Sequence, residues 1–199
     1  HAAPGEHRYG RRETGLPGAH NAHNALAALL AARHAGVPLH QGLHGLAGFR
    51  GMRRRQEVRG RVNGVNVVDD FAHHPTAIAT TLEGLRQQVG EEPILALIEP
   101  RSNTMKQGVH LKTLLPSAEA ADRVFWANLN GMDWLPALIA DWQEANAGSG
   151  LHRVDSTIEG LLSRSLEDLP SPCHIVIMSN GGFGGIHGKL IAELERIRG

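Results

Sequence analysis

Cysteine is almost missing: Cys173 is the one thiol in 199 residues. That excludes a disulfide framework and makes a reducing compartment the simpler reading. Neither charge sign is in excess, with 20 Lys and Arg against 20 Asp and Glu, which argues against a nucleic acid or membrane held by bulk charge. No apolar run approaches the roughly 20 residues of a membrane span, and nothing resembles a signal peptide. Aromatic residues are few, at 4%, whereas histidine is frequent, at 13. A chain of this length buries roughly 70% of its unfolded surface, so it needs no staple to be stable. It has room for one sizeable α/β domain, or for one domain plus a piece of another. Its first residue is His1, and we expect a piece of a longer protein.

The segment 1–17 is polar, rich in Arg, Gly and Pro, and reads as an extended lead-in. From Gly18 an alanine-rich helix runs to just before Gly36. At 100° per residue Leu26, Leu29 and Leu30 share one stripe, while His20, Asn21 and Asn24 point almost the opposite way. Read alone, that polar edge is either a helix cap with solvated amides or the border of a flat ligand. A second short helix is expected over 39–49 and a joint over 48–51. After Arg53, Arg54 and Arg55, two β-prone runs (58–62 and 65–68) flank Asn63-Gly64, a strong hairpin signal. From there the pattern is strand, loop and helix in repetition, with strands expected near 93–98, 123–127, 152–154 and 174–178. Short helical patterns fall at 109–115, from Leu135 to Trp142, after Ser156-Thr157-Ile158-Glu159 (a capping box) and after Gly185. Alternation of this kind means βαβ units and an α/β fold with a mostly parallel sheet flanked by helices.

The chain is organised around Val65-Asn66-Val67-Val68-Asp69-Asp70-Phe71-Ala72-His73-His74-Pro75-Thr76. Pro75 suits a first helical position, so residues 69–74 are expected on a strand-to-helix loop, where open parallel sheets bind ligands. Adjacent carboxylates on a strand end point to opposite faces. One of Asp69 and Asp70 can face the crevice and the other can cap the helix; alternation alone does not say which. Right-handed crossovers would bring this loop, Arg101-Ser102-Asn103, residues 128–130, Asp155-Ser156 and residues 179–185 to one edge. The Gly-rich stretch 181–188 completes neither a phosphate loop nor a dinucleotide fingerprint. It reads as an anion site at a helix start, one suited to a carboxylate, or more plainly as a tight turn. His20-x-x-His23, His40-x-x-x-His44 and His73-His74 have spacings a metal could use, but no Cys or Glu partner completes them, and no metal site is assigned. Cys173, before a buried strand, reads as an inert thiol.

Three segments in order are similar to the Mur ligase family: 69–76, Glu99-Pro100-Arg101-Ser102-Asn103-Thr104-Met105, and Met178-Ser179-Asn180-Gly181-Gly182-Phe183-Gly184-Gly185-Ile186-His187. The first is shared with the alanine-adding members; the second and third resemble the members that recycle cell-wall tripeptide. His20-Asn21-x-x-Asn24 resembles the end of the family's central ATPase domain, and Arg54-Arg55-x-Glu57 the entry to its C-terminal domain. The resemblance implies a Rossmann-like domain over 50–199, opened by the hairpin and preceded by a helical remnant of the ATPase domain over 1–49. It implies an ATP-dependent ligase of peptidoglycan recycling that joins the murein tripeptide to UDP-N-acetylmuramate through an acyl phosphate. On that carry-over His20, Asn21, Asn24, Arg55 and Asp70 bind ATP, with Arg55 on the phosphates. Arg55 and Asp70 also carry catalysis. Arg101, Ser102, Asn103, Gly181, Gly182 and Gly184 receive the peptide's carboxylates. The phosphate loop, the magnesium-binding Glu and the UDP-binding domain of the family are not in this sequence. Mg2+ is therefore expected mainly on the central domain, the partner is the rest of the ligase chain, and this piece is expected not to catalyse alone. The implied setting is the bacterial cytoplasm, with no nucleic acid and no membrane. The alternatives are an alanine-adding ligase and a non-catalytic module for an anionic peptide or nucleotide.

Overall fold

A computed structural model describes residues 19–49, 53–146 and 151–198, and the backbone alone at 19 and 20. The lead-in expected over 1–17 and the side chain of His20 lie outside the described residues. The chain divides into two compact units, His1–Gly51 and Met52–Gly199.

In the first unit, α1 (Ala19–His34) and α2 (Leu39–Ala47) form a helical pair. Helix α1 stops where the glycine foretold: Gly36 has φ +89°, and the Val37 N–H reaches back to the Ala32 carbonyl at 2.9 Å. A left-handed residue after a helix is what this closure needs. Leu29 packs against α2, where a β-carbon at Gly42 would lie 2.9 Å from it. Leu26 and Leu30, from the same stripe, remain 55% and 57% exposed.

The second unit is one six-stranded sheet. Its strands are β1 (Glu57–Val62), β2 (Val65–Asp70), β3 (Ile94–Ile98), β4 (Arg123–Ala127), β5 (His152–Asp155) and β6 (Cys173–Met178). The spatial order is β1-β2-β6-β3-β4-β5, with only the β1–β2 hairpin antiparallel. Strands β3 and β6 are buried along their whole length, which is why both read as unbroken apolar runs rather than alternating ones. Ile94, Ala96, Ile98, Val124 and Trp126 face α3 (Pro75–Val89), α4 (Asn103–Lys106), α5 (Leu111–Leu114) and α6 (Trp134–Ala145). Leu95, Leu97, Phe125, Ile175 and Ile177 face α7 (Ile158–Leu166) and α8 (Ile186–Arg198). The chain walks outward from β2 to β5 with its helices on one face. It then returns through α7 on the other face and inserts β6 between β2 and β3. That reversal is the topological switch point, the place where open α/β sheets bind ligands, and it lies at the C-terminal tips of β2, β6 and β3.

Several boundaries differ from the sequence expectation. Asp69 and Asp70 are the last residues of β2 rather than loop, because β6 pairs with them (Asp69 with Ile177, Asp70 with Met178). The loop is thus only 71–74, and α3 begins at Pro75 with Pro in its first turn. Neither aspartate caps α3, whose N-cap His74 has no side-chain cap bond. The helix expected over 109–115 is shorter, α5 covering only Leu111–Leu114, and a further turn of helix, α4, forms over Asn103–Lys106, with Gly108 at φ +68° between the two. Thr157, not Ser156, caps α7, accepting from the Gly160 N–H at 3.0 Å.

Candidate functional site

The tips of β2, β6 and β3 are tied together by the backbone. The Ser179 N–H donates to the Asp70 carbonyl at 3.2 Å, and the Glu99 N–H donates to the Met178 carbonyl at 2.9 Å. Asp70, Ser179 and Glu99 are all buried. The two aspartates do face opposite ways. Asp70 turns toward α3 and accepts from the Ala72 N–H (2.8 Å), the Gln56 N–H (2.9 Å) and the Thr81 hydroxyl (3.3 Å). Burial pushes its carboxyl above the ordinary value, against the pull of those bonds. Asp69 lies with Arg54 (Nε to Oδ2, 3.6 Å) and His187 of α8 (Nε2 to Oδ1, 3.1 Å). The latter is an ion-pair distance without hydrogen-bond alignment. Burial lowers the His187 pKa, with Asp69 opposing it. Asp70 therefore contributes to the rim by holding the loop and the Gln56 backbone, with both of its oxygens engaged inside the protein.

On the neighbouring strands the arrangement opens to solvent. Arg101 is exposed, and its guanidinium lies over Gly181, where a β-carbon would come within 2.7 Å of Cζ. Gly181 is thus the residue type that lets an arginine side chain come this close to the β6 loop. Its own N–H is engaged, donating to the Ser179 hydroxyl oxygen at 2.9 Å, while that hydroxyl donates to the Glu99 carboxylate at 2.5 Å. A carboxylate ligand would therefore meet Arg101 rather than the Gly181 amide. Ser102 caps α4, accepting from the Met105 N–H at 3.4 Å, and Asn103 is exposed beside it. Gly182 is exposed, and Phe183, Gly184 and Gly185 follow with φ of +44°, +56° and +69°. This left-handed run buries the Phe183 ring completely and leads into α8. At the other two tips Asn128 bonds to Met132 at 2.7 Å and Asp155 accepts from Thr157 at 2.9 Å, while Asn130 and Ser156 are exposed.

Arg55 is exposed, with an electrostatic pull on Asp70. Its neighbour Arg54, singled out for no role by sequence alone, proves more deeply involved. From a left-handed backbone (φ +58°) its guanidinium donates to the carbonyls of Ser179 (2.5 Å) and Gly181 (2.8 Å). It also lies 5.1 Å from the centre of the Phe71 ring. The one signal of Glu99 and Ser179 was a polar residue directly after an apolar strand that the sheet buries. In the first unit Asn24 is exposed on α1 and Asn21 half-buried. Cys173 is buried and its thiol pushed up to about 11 by desolvation, so it is inert. Among the described residues no group of three or more His, Cys, Asp and Glu is placed to hold a metal ion.

The family model for the Mur ligase, glutamate ligase domain, matches residues 54–181. The UDP-N-acetylmuramate–L-alanyl-γ-D-glutamyl-meso-2,6-diaminoheptandioate ligase of Escherichia coli (strain K12) is 43% identical over 190 residues, 95% of this chain and 40% of that protein. A UDP-N-acetylmuramate–L-alanine ligase of Mycolicibacterium vanbaalenii is 47% identical, but over 115 residues, 55% of this chain and 23% of that protein. The crystal structure of a murein peptide ligase from Psychrobacter arcticus 273-4 superposes with a TM-score of 0.72 at 42% identity, covering 89% of this chain and 37% of that one. The chain spans about 40% of the length of the tripeptide ligases it matches along most of its own length.

Proposed function

The chain belongs to the Mur ligase family, and on that premise we propose that it is the C-terminal part of an ATP-dependent ligase that joins the tripeptide L-alanyl-γ-D-glutamyl-meso-diaminopimelate to UDP-N-acetylmuramate. The observation that carries this reading is the exposed Arg101 lying over Gly181 where three strand tips meet. A planar, permanently charged fork suits the carboxylate of an incoming peptide. Likeness to the tripeptide ligase along nearly the whole chain, against about half for the alanine-adding ligase, favours the tripeptide as acceptor.

In this reading ATP, when bound, supplies the phosphoryl group that turns the UDP-muramyl carboxylate into an acyl phosphate; the peptide's amine attacks and phosphate leaves. Arg55 faces the phosphates, where transferring charge needs a fixed cationic donor. His20, Asn21 and Asn24 border the adenine and ribose. Asp70 acts by holding Gln56 and Ala72 in place. Arg101, Ser102 and Asn103 receive the peptide, and Gly181, Gly182 and Gly184 shape the loop beneath it. Residues 1–49 are the remnant of the central ATPase domain and 50–199 the C-terminal domain. The exposed Leu26 and Leu30 suit an apolar face that more of that domain would cover. No residue here is assigned to Mg2+. Substrates of this kind, a UDP-sugar and ATP, suit an enzyme of the bacterial cytoplasm acting in peptidoglycan recycling.

The test is a ligation assay with ATP and UDP-N-acetylmuramate, offering tripeptide or free L-alanine as the acceptor. The full-length ligase should turn over with tripeptide and not with alanine, and the 199-residue chain alone should give no product with either. Preference for alanine would transfer the chain to the alanine-adding branch, and turnover by the chain alone would refute the division of labour.

A further inference from the structure

The loop beneath Arg101 is held from both sides by groups with no role in the reading above. From the β2 side, the Arg54 guanidinium donates to the carbonyls of Ser179 and Gly181. It is itself anchored: its N–H donates to Glu57 at 2.9 Å, its carbonyl accepts from the Phe71 N–H at 2.8 Å, and Asp69 lies 3.6 Å from Nε. From the β3 side, Glu99 accepts from the Ser179 hydroxyl, which accepts from the Gly181 N–H. Gly181 thus has its N–H and its C=O both fixed by side chains. The 181 backbone is in turn the surface on which Arg101 lies. A buried carboxylate and a half-buried guanidinium in an irregular loop are costly unless each is paired. Here both are used to define one backbone conformation.

We propose that Arg54 and the Glu99–Ser179 pair are positioning residues for the acceptor peptide: by clamping Ser179 and Gly181 from opposite strands they set where the Arg101 fork presents itself to the peptide's carboxylate. The inference rests on the peptide site proposed above. None of the three touches substrate; each acts through the loop, and so through Arg101. Bidentate recognition of a carboxylate tolerates little displacement, so loosening the clamp weakens peptide binding before it affects the phosphoryl chemistry on the Arg55 side. Lysine cannot replace Arg54: one guanidinium nitrogen, Nη2, serves both carbonyls while Nε faces Asp69 at 3.6 Å, and a single ammonium on a flexible stem cannot occupy both positions at once.

The experiment is steady-state kinetics on the full-length ligase with ATP and UDP-N-acetylmuramate saturating and tripeptide varied. Arg54→Lys and Glu99→Leu should each raise the tripeptide KM about tenfold or more while kcat stays within about threefold. Glu99→Gln keeps an acceptor for the Ser179 hydroxyl and should hold KM within about threefold of the parent. Arg101→Ala is the reference for the site itself. If Arg101→Ala raises KM but Arg54→Lys and Glu99→Leu do not, the clamp is overturned and the peptide site stands. If Arg101→Ala leaves KM unchanged, the reading beneath the clamp fails. A fall in kcat at unchanged KM, or equal effects of Glu99→Leu and Glu99→Gln, also overturns the proposal. Should Arg54→Lys fail to fold, the Glu99 pair decides.

Discussion

Single residues in this protein are legible through what their neighbours leave them to do. His152 sits fully buried at the start of β5, and the Trp126 indole N–H donates to its Nδ1 at 3.1 Å. The imidazole proton therefore resides on Nε2, edge-on to Trp142, whose ring centre is 5.3 Å away. Burial lowers its pKa from 6.5 to about 4. A depressed histidine favours the folded state most above its unfolded pKa, and that contribution drains as pH falls from about 6.5 toward 4, in total about 3 kcal/mol. Urea melts of parent and His152→Phe at pH 7 and pH 4.5 check this. The parent should lose about 2–3 kcal/mol more than the variant across that interval. Equal losses would mean His152 is not the group that titrates. Asp70, raised by its burial, works in the opposite direction but is common to both proteins and cancels.

At the scale of elements, the hairpin shows what local chemistry can specify. Asn63 and Gly64 take φ of +42° and +84°, the two left-handed positions of a type I′ turn. A β-carbon at Gly64 would overlap the Ser171 hydroxyl, which donates to the Asn63 carbonyl at 3.0 Å. Gly64→Ala should therefore destabilise by about 1–2 kcal/mol, seen in calorimetry as a fall in Tm of about 2–8 °C. An unchanged Tm would mean the turn adapts without strain. This hairpin, the unbroken apolar strands β3 and β6, and the proline start of α3 were all legible, because each is written in adjacent residues. The end of β2 was not. Asp69 and Asp70 are strand because β6, more than 100 residues away in sequence, pairs with them. The α4 turn also escaped, because a helix of four residues started by the Ser102 cap leaves no periodic pattern to read.

At the scale of the molecule, the late insertion of β6 between β2 and β3 decides where chemistry can occur. Three motif segments far apart in sequence become neighbours, as right-handed crossovers require. That they would share a rim was legible from the order of strands and helices. Their internal wiring was not: among the three adjacent arginines, only the left-handed backbone at Arg54 shows that it, and not Arg55, holds the β6 loop. The direction of Asp70 was equally hidden, because alternation along a strand gives opposite faces without saying which face is the crevice. The central claim, that this rim is the peptide-binding half of a ligase cleft, is tested most directly by titrating the 15N-labelled chain with tripeptide to about millimolar concentration and mapping amide shifts. The account predicts shifts at residues 101–103 and 179–185, with Asn63, Gly64, Ser171 and Cys173 at the far end of the sheet unmoved. Shifts confined to that far end, or none at the rim, would contradict it.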